Sequence, residues 1–170
     1  MVHLVALSGL PGVGKTTIAR ALAGAIGGAH LRIDSLETAL KRSSLRIDPA
    51  EDAGYVAAAA IARDNLGIGL DVVADAVNPV GRSRQLWADT AAATGAVLLN
   101  VEIVCSDPGE HRRRVEAPRS DLPGLEVPDW GAVCSRHYEA WESEPVTLDT
   151  AHLTVEACVA ALRDAMGHRG

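Results

Sequence analysis

The chain has 170 residues, and 48% of them are hydrophobic, enough for one compact domain with its own core. Acidic residues outnumber basic ones by 22 to 16, and a net charge of −6 with 3% aromatics argues against a general nucleic-acid binder. Such binders need a basic face and stacking platforms.

No apolar run reaches the roughly 18 residues of a membrane span. The N-terminal MVHLVALSGL lacks the basic start and cleavage site of a signal peptide. Cys105, Cys134 and Cys158 are widely spaced and form no CxxC, so neither a disulfide framework nor a zinc site is expected. These features predict a cytoplasmic protein without a membrane contact. Phe is absent, and Lys15 and Lys41 are the only lysines.

Residues 2–8 (VHLVALS) read as a strand that runs into a glycine-rich turn. A helix over 15–26 follows, with Ile18, Ala19, Leu22 and Ile26 at helical spacing. Residues 29–33 read as a second strand. Asp48-Pro49-Ala50-Glu51 has the pattern of a helix start, and that helix should end near Gly67. Residues 70–76 (LDVVADA) predict a strand, 81–94 a helix stopped by Gly95, and 97–104 (VLLNVEIV) a central strand. Asp107-Pro108-Gly109-Glu110 repeats the capping pattern and opens an arginine-rich helix. Residues 117–128 hold three prolines and predict a loop, the kind of long loop that serves as a lid.

Residues 129–142 predict a helix with Trp130, Val133, Cys134, Tyr138 and Trp141 on one stripe. A short strand at 146–148 and a helix at 154–166 close the chain. Regular alternation of strand and helix predicts an α/β fold, a parallel sheet covered on both faces. The whole chain, 1–170, reads as one domain with a lid at about 108–128.

Gly9-Leu10-Pro11-Gly12-Val13-Gly14-Lys15-Thr16 matches G-x-x-x-x-G-K-[ST] fully, between a strand and a helix. Such a loop turns successive N–H groups toward phosphate oxygens, and the helix adds its positive end. Gly9, Pro11, Gly12, Val13, Gly14, Lys15, Thr16 and Thr17 are therefore the expected nucleotide-binding residues. Lys15 would bridge the β- and γ-phosphates and Thr16 would ligate Mg²⁺. The guanine-reading N-K-x-D needs a lysine, and Lys41 sits in Leu40-Lys41-Arg42-Ser43 instead, so ATP is the expected nucleotide. Asp121-Leu122-Pro123-Gly124 mimics the GTPase D-x-x-G but follows no strand, and reads as a loop turn.

Asp75 ends the strand LDVVAD, where a carboxylate would hold Mg²⁺. Asp34 ends the second strand, placed to accept the proton of an alcohol acceptor as its new bond forms. Glu37 stands three residues on, so Asp34 is also a helix-cap candidate. Arg112, Arg113 and Arg114 enter the lid loop and Arg119 lies within it; arginines there match phosphate oxygens through their planar fork. Arg112 is the candidate nucleotide contact, with Arg114 and Arg119 the candidate catalytic pair. Arg42, Arg46, Arg82, Arg84 and Arg136 are candidate substrate-side groups. His111 and His137 receive no role.

With these residues in place, the chain resembles the small P-loop kinases, a group that includes gluconate, shikimate and adenylylsulfate kinases and chloramphenicol phosphotransferase. It is most similar to bacterial adenylylsulfate-kinase-like proteins labelled AAA-family ATPases. The resemblance rests on GLPGVGKTT, RID at 32–34, VVADAVNP at 72–79, CSDPGEHRRRVE at 105–116 and LDTA at 148–151. It implies a three-layer P-loop NTPase fold with a five-stranded parallel sheet in the order 2-3-1-4-5. It puts Asp34 beside the acceptor hydroxyl and Thr150 in a segment that passes over adenine. It also implies an acceptor pocket built from 35–50 and 78–86. The family pattern continues V-E-x-R, whereas here Val115-Glu116-Ala117-Pro118 delays the arginine to Arg119.

The expectation is an ATP- and Mg²⁺-dependent kinase acting on a hydroxylated small molecule, as a monomer or homodimer. The alternatives are a nucleotide or polynucleotide 5′-end kinase, and an ATP-binding switch without an acceptor.

Overall fold

The computed structural model describes residues 1–117 and 121–167. Strands β1 (His3–Ser8), β2 (Ala29–Arg32), β3 (Val72–Asp75), β4 (Val97–Val104) and β5 (Val146–Asp149) form one sheet in the order β2-β3-β1-β4-β5. Every pairing is parallel, with Leu7 opposite Asp75 and Arg32 opposite Asp75 on its other side. This is the α/β P-loop architecture expected above.

Side-chain alternation along β1 splits the core in two. Val5 and Leu7 face α1 (Lys15–Ile26) and the C-terminal helix Val155–Ala165, where Ile18, Leu22, Cys158 and Leu162 complete a buried cluster. Leu4 and Ala6 face the helices Ala53–Gly67 and Gly81–Thr94, packed with Ala58, Ala62, Leu66 and Trp87. In chain order the remaining helices are α2 (Ile33–Arg42), α3 (Ala53–Gly67), α4 (Gly81–Thr94), α5 (Pro108–Glu116), α6 (Trp130–Cys134) and α7 (Val155–Ala165). Among the described residues, no helix is long and apolar enough to cross a membrane.

Three expectations need correction. Helix α3 starts at Ala53, not at Asp48-Pro49-Ala50-Glu51. Glu51 has φ 46°, left-handed backbone that no α-helix passes through, and Asp48 pairs with Lys41 at 3.1 Å. The strand expected over 29–33 ends at Arg32 and passes directly into α2 at Ile33, a helix not expected there.

The helix expected over 129–142 stops at Cys134. Residues 135–142 instead form a strap tied to the start of α4. Arg84 draws the strap away from helix. Its guanidinium donates to the carbonyls of Glu139 (2.7 Å) and Ala140 (3.0 Å). It also lies over the rings of Tyr138 and Trp141, 5.0 and 4.1 Å from their centroids. The Glu139 carboxylate accepts from the Gly81 N–H at 2.6 Å. Helical spacing of the apolar residues is thus coincidental to packing around one arginine.

Asn78 joins these parts. Its side chain donates to the Leu7 carbonyl (3.0 Å) and Ser8 Oγ (3.1 Å), and accepts from Trp87 Nε1 (2.9 Å). Its N–H donates to Tyr55 Oη at 3.2 Å, and its carbonyl accepts from Arg84 Nε at 3.1 Å. Asn78→Ala would leave the buried Trp87 N–H unpaired. It should lower stability by about 3 kcal/mol, read as a drop in the urea midpoint at constant m-value.

Candidate active site

The C-terminal ends of β1, β2 and β3 open on a cleft of about 880 Å³. Its walls include Pro11, Gly12, Gly14, Lys15, Thr16 and Thr17 from the glycine-rich loop and the start of α1. Asp75, Arg32 and Asp34 come from the strand ends, and Glu37, Thr38 and Lys41 from α2. Arg113, Arg114 and residues 124–128 form the far wall, with Arg136 from the strap. Among the described residues the lining carries seven cations and six carboxylates, in a chain of net charge −6.

The loop is held from beneath. Gly12 has φ 83°, and a Cβ there would lie 2.5 Å from Val115 Cγ2 of α5. At Gly9, with φ 137°, a Cβ would run into the Ile103 carbonyl of β4. Gly9 and Val13 do not line the cleft: the Gly9 N–H donates to the Val77 carbonyl at 3.1 Å, and the Val13 side chain is buried in the core. His111, given no role by the sequence, has Nε2 2.8 Å from the Pro11 carbonyl oxygen. A carbonyl only accepts, so Nε2 carries the proton. Trp130 packs edge-on against the His111 ring at 5.0 Å.

Lys15 is buried, and its Nζ donates to the Leu10 carbonyl at 2.8 Å. Burial pushes its pKa down to about 8, against the opposing pull of Asp75 and Asp34. Asp75 is 3% exposed. Burial alone would raise its pKa, but a bond from His30, the Lys15 charge and the Thr16 hydroxyl outweigh it and hold the carboxyl below its usual range. His30 Nε2 lies 3.2 Å from Asp75 Oδ2. His30 was missed; it sits two residues before Arg32, which is in register with Asp75, so strand alternation puts all three side chains on one face.

Asp34 lies in the first turn of α2, not at its N-cap. Arg32 holds the cap position without a side-chain bond, because β2 runs straight into the helix. The Asp34 carboxylate is therefore not used as a cap. It is half exposed, with Arg32 Nη2 at 3.7 Å. Glu37 beside it is pushed up by burial and by the Asp34 charge.

The arginines divide sharply. Arg114 donates from Nε to Glu110 (2.7 Å), from Nη1 to Thr150 Oγ1 (2.8 Å) and from Nη2 to the Thr150 carbonyl (3.0 Å). Thr150 Oγ1 in turn lies 2.9 Å from the Val13 carbonyl. Arg114 and Thr150, expected in separate roles, form one clamp beneath the loop, and Thr150 is not part of the cleft lining. Arg113 and Arg114 hold Glu110 down at about 2. Arg112 pairs with Glu116 at 2.8 Å and stands outside the lining. Arg119 lies outside the described residues.

Of the substrate-side candidates, Arg84 is the structural anchor described above. Arg82 pairs with Asp52 at 3.6 Å, and nothing from 78–86 lines the cleft. Asn78 and Arg84 are buried in the interior, which is why that segment drops out. Arg136 does face the cleft. Among the described residues it has no ion-pair partner, and its charge is felt at Lys15, Glu37 and Tyr55.

The contact between Gly12 and α5 is testable. Gly12→Ala should cost stability through both its positive φ and its collision with Val115. In a double-mutant cycle by urea unfolding, Val115→Ala should cost less in the Gly12→Ala background than alone, by about 1 kcal/mol.

Among solved structures, the fold is similar to the adenylylsulfate (APS) kinase of Mycobacterium tuberculosis in complex with AMPPNP and APS. The two share 16% identity over 98% of each chain, with a TM-score of 0.71. It is also similar to a gluconokinase from Sinorhizobium meliloti, with 18% identity over 97% of this chain and 95% of that one and a TM-score of 0.63. Kti12 from Chaetomium thermophilum, in complex with ADP-AlF3, shares 21% identity over 96% and 97% of the chains, with a TM-score of 0.71. No curated protein matches the sequence. The family described as AAA domain matches residues 4–122, from β1 through the glycine-rich loop, Asp34 and Asp75 to beyond the arginine-rich helix. Well over half of the chain is covered by that match, and the chain belongs to this P-loop family.

Proposed function

We propose that the protein is an ATP-dependent kinase that transfers the γ-phosphoryl group to a hydroxyl of a small molecule. One observation carries this reading: Asp34, free of any capping duty, opens on the same cleft as Lys15 and Thr16. A carboxylate there accepts the proton that the hydroxyl loses as its oxygen attacks phosphorus. A switch without an acceptor has no use for that placement.

Lys15 and the loop N–H groups would hold the phosphates and oppose the charge that builds on the transferred group. The Thr16 hydroxyl and the Asp75 carboxylate supply hard oxygen donors, the type Mg²⁺ prefers. Asp75 is ionised and already bonded to His30, so it is oriented before any cation arrives. When bound, Mg²⁺ would neutralise charge on the phosphates. Arg136 and Arg113 are further cations facing the same space.

The similarity to Kti12, solved with ADP-AlF3, favours a second reading, an ATPase module that needs no acceptor. ATP consumption with and without a pool of hydroxylated metabolites separates the two. A kinase requires the pool, and equal turnover in both conditions overturns the kinase reading. Once an acceptor is found, Asp34→Asn should leave ATP affinity within about twofold and cut phosphoryl transfer by at least about 100-fold. Unchanged transfer would remove Asp34 from the proton-accepting role.

Lys15 gives a pH dependence. Its ammonium is needed for phosphate binding, and its pKa in the free protein is about 8. Bound phosphates raise that pKa, so binding takes up a proton above pH 8 and none well below it. ATP affinity should therefore be flat from about pH 6.5 to 7.5 and fall by up to about tenfold per pH unit above 8. Calorimetric titrations at pH 7, 8 and 9 check this, and equal affinity across the series contradicts it.

A further inference from the structure

The Asp75 carboxylate is held on one side before any cation reaches it. Its side chain is 3% exposed, and that of His30 is 19% exposed. His30 comes from the edge strand β2, where it stands opposite Val73, two residues before Asp75 on β3. From there its Nε2 lies 3.2 Å from Asp75 Oδ2. An ionised carboxylate only accepts, so Nε2 is the donor. The Thr16 hydroxyl makes a further bond to the same carboxylate. Among the described residues, no three His, Cys, Asp or Glu side chains gather to hold a metal, so His30 has no ligand set of its own to join. It does not line the cleft either. Whatever His30 does for the site, it does through Asp75.

Mg²⁺ and Ca²⁺ use carboxylates differently. Mg²⁺ is small, demands near-octahedral geometry and keeps several waters, so a single carboxylate oxygen suits it. Ca²⁺ is larger, takes about six to eight oxygens and can draw both oxygens of one carboxylate. To grip a cation with both oxygens, a carboxylate must turn them to the same side. For Asp75 that turn would pull Oδ2 away from His30. The mostly buried imidazole N–H would then have lost its acceptor, which is costly. A contact through one oxygen, direct or by way of a water, leaves the His30 bond intact.

We propose that His30 sets the cation preference of the site: by holding Oδ2 it confines Asp75 to a single-oxygen contact, which suits Mg²⁺ and disfavours Ca²⁺. His30 is thus a positioning residue that touches neither nucleotide nor cation. This inference rests on the reading of Thr16 and Asp75 as the metal-holding residues of a nucleotide site. It needs no acceptor, so it is the same whether the phosphoryl group goes to an alcohol or to water. The device is inexpensive in sequence: one imidazole on a neighbouring strand restricts a carboxylate that by itself would serve either cation.

The test is calorimetric titration of a non-hydrolysable ATP analogue into the full chain with saturating Mg²⁺, with saturating Ca²⁺ and with a chelator. The parent should bind the analogue more tightly with Mg²⁺ than with Ca²⁺. His30→Ala should narrow that ratio by about tenfold, while affinity in the chelator stays within about twofold. His30→Gln, whose amide N–H donates at the same reach as Nε2, should keep the ratio to within about threefold. His30→Leu refills the space without a donor, and it carries the alanine variant's expectation if that chain loses its cooperative urea transition. A Mg²⁺-to-Ca²⁺ ratio unchanged to within about twofold in the donor-less variant overturns the proposal. So does equal weakening with both cations and with the chelator, the result a merely structural histidine would give. In either case intact analogue binding leaves the kinase reading standing. A parent chain that binds no analogue under any condition overturns the nucleotide site and this inference together.

Discussion

All five strands of the sheet run in one direction, and the rest of the molecule depends on that constraint. Parallel pairing collects every strand's C-terminal end along a single edge. Ser8 hands the chain to the phosphate loop, Arg32 to Asp34, and Asp75 stands between them. Residues far apart in sequence reach one cleft with no long loop to place them. The opposite edge is free to be ordinary, and the two faces carry the apolar load through β1's alternation.

Beneath that edge the loop is supported by contacts that have no chemistry of their own. His111 holds Pro11, Arg114 and Thr150 hold Val13, and Val115 fills the space above Gly12. Helix α5 therefore braces the loop, although its arginines read in sequence as part of a lid. Beyond it, Asp121 pairs with Arg20 of α1 and Arg32 of β2.

What the sequence disclosed follows from how local each signal is. The motif from Gly9 to Thr16 is contiguous, so it was readable, and so were the Asp75 strand end and the Asp107 cap. The sheet order came from resemblance, since no local pattern encodes strand neighbours. Lys15, Thr16, Asp34 and Asp75 do meet in one cleft. His30 and Arg20 were missed, and Asp121 read only as a loop turn, because their partners lie 45 to 101 residues away. The helix at 129–142 misled for a related reason: Trp130, Val133, Cys134, Tyr138 and Trp141 have helical spacing, but Arg84 on another element decides where the last two go.

The edge-on contact of Trp130 with His111 has an optical consequence. The chain has three tryptophans and no phenylalanine. Trp87 is fully buried and bonded to Asn78, and Trp141 is stacked on Arg84. Trp130 meets the far side of the phosphate loop through a histidine whose ring can quench indole emission. The protein thus carries a native fluorophore wired to its loop, and Trp130→Phe is the blank against which that signal is read.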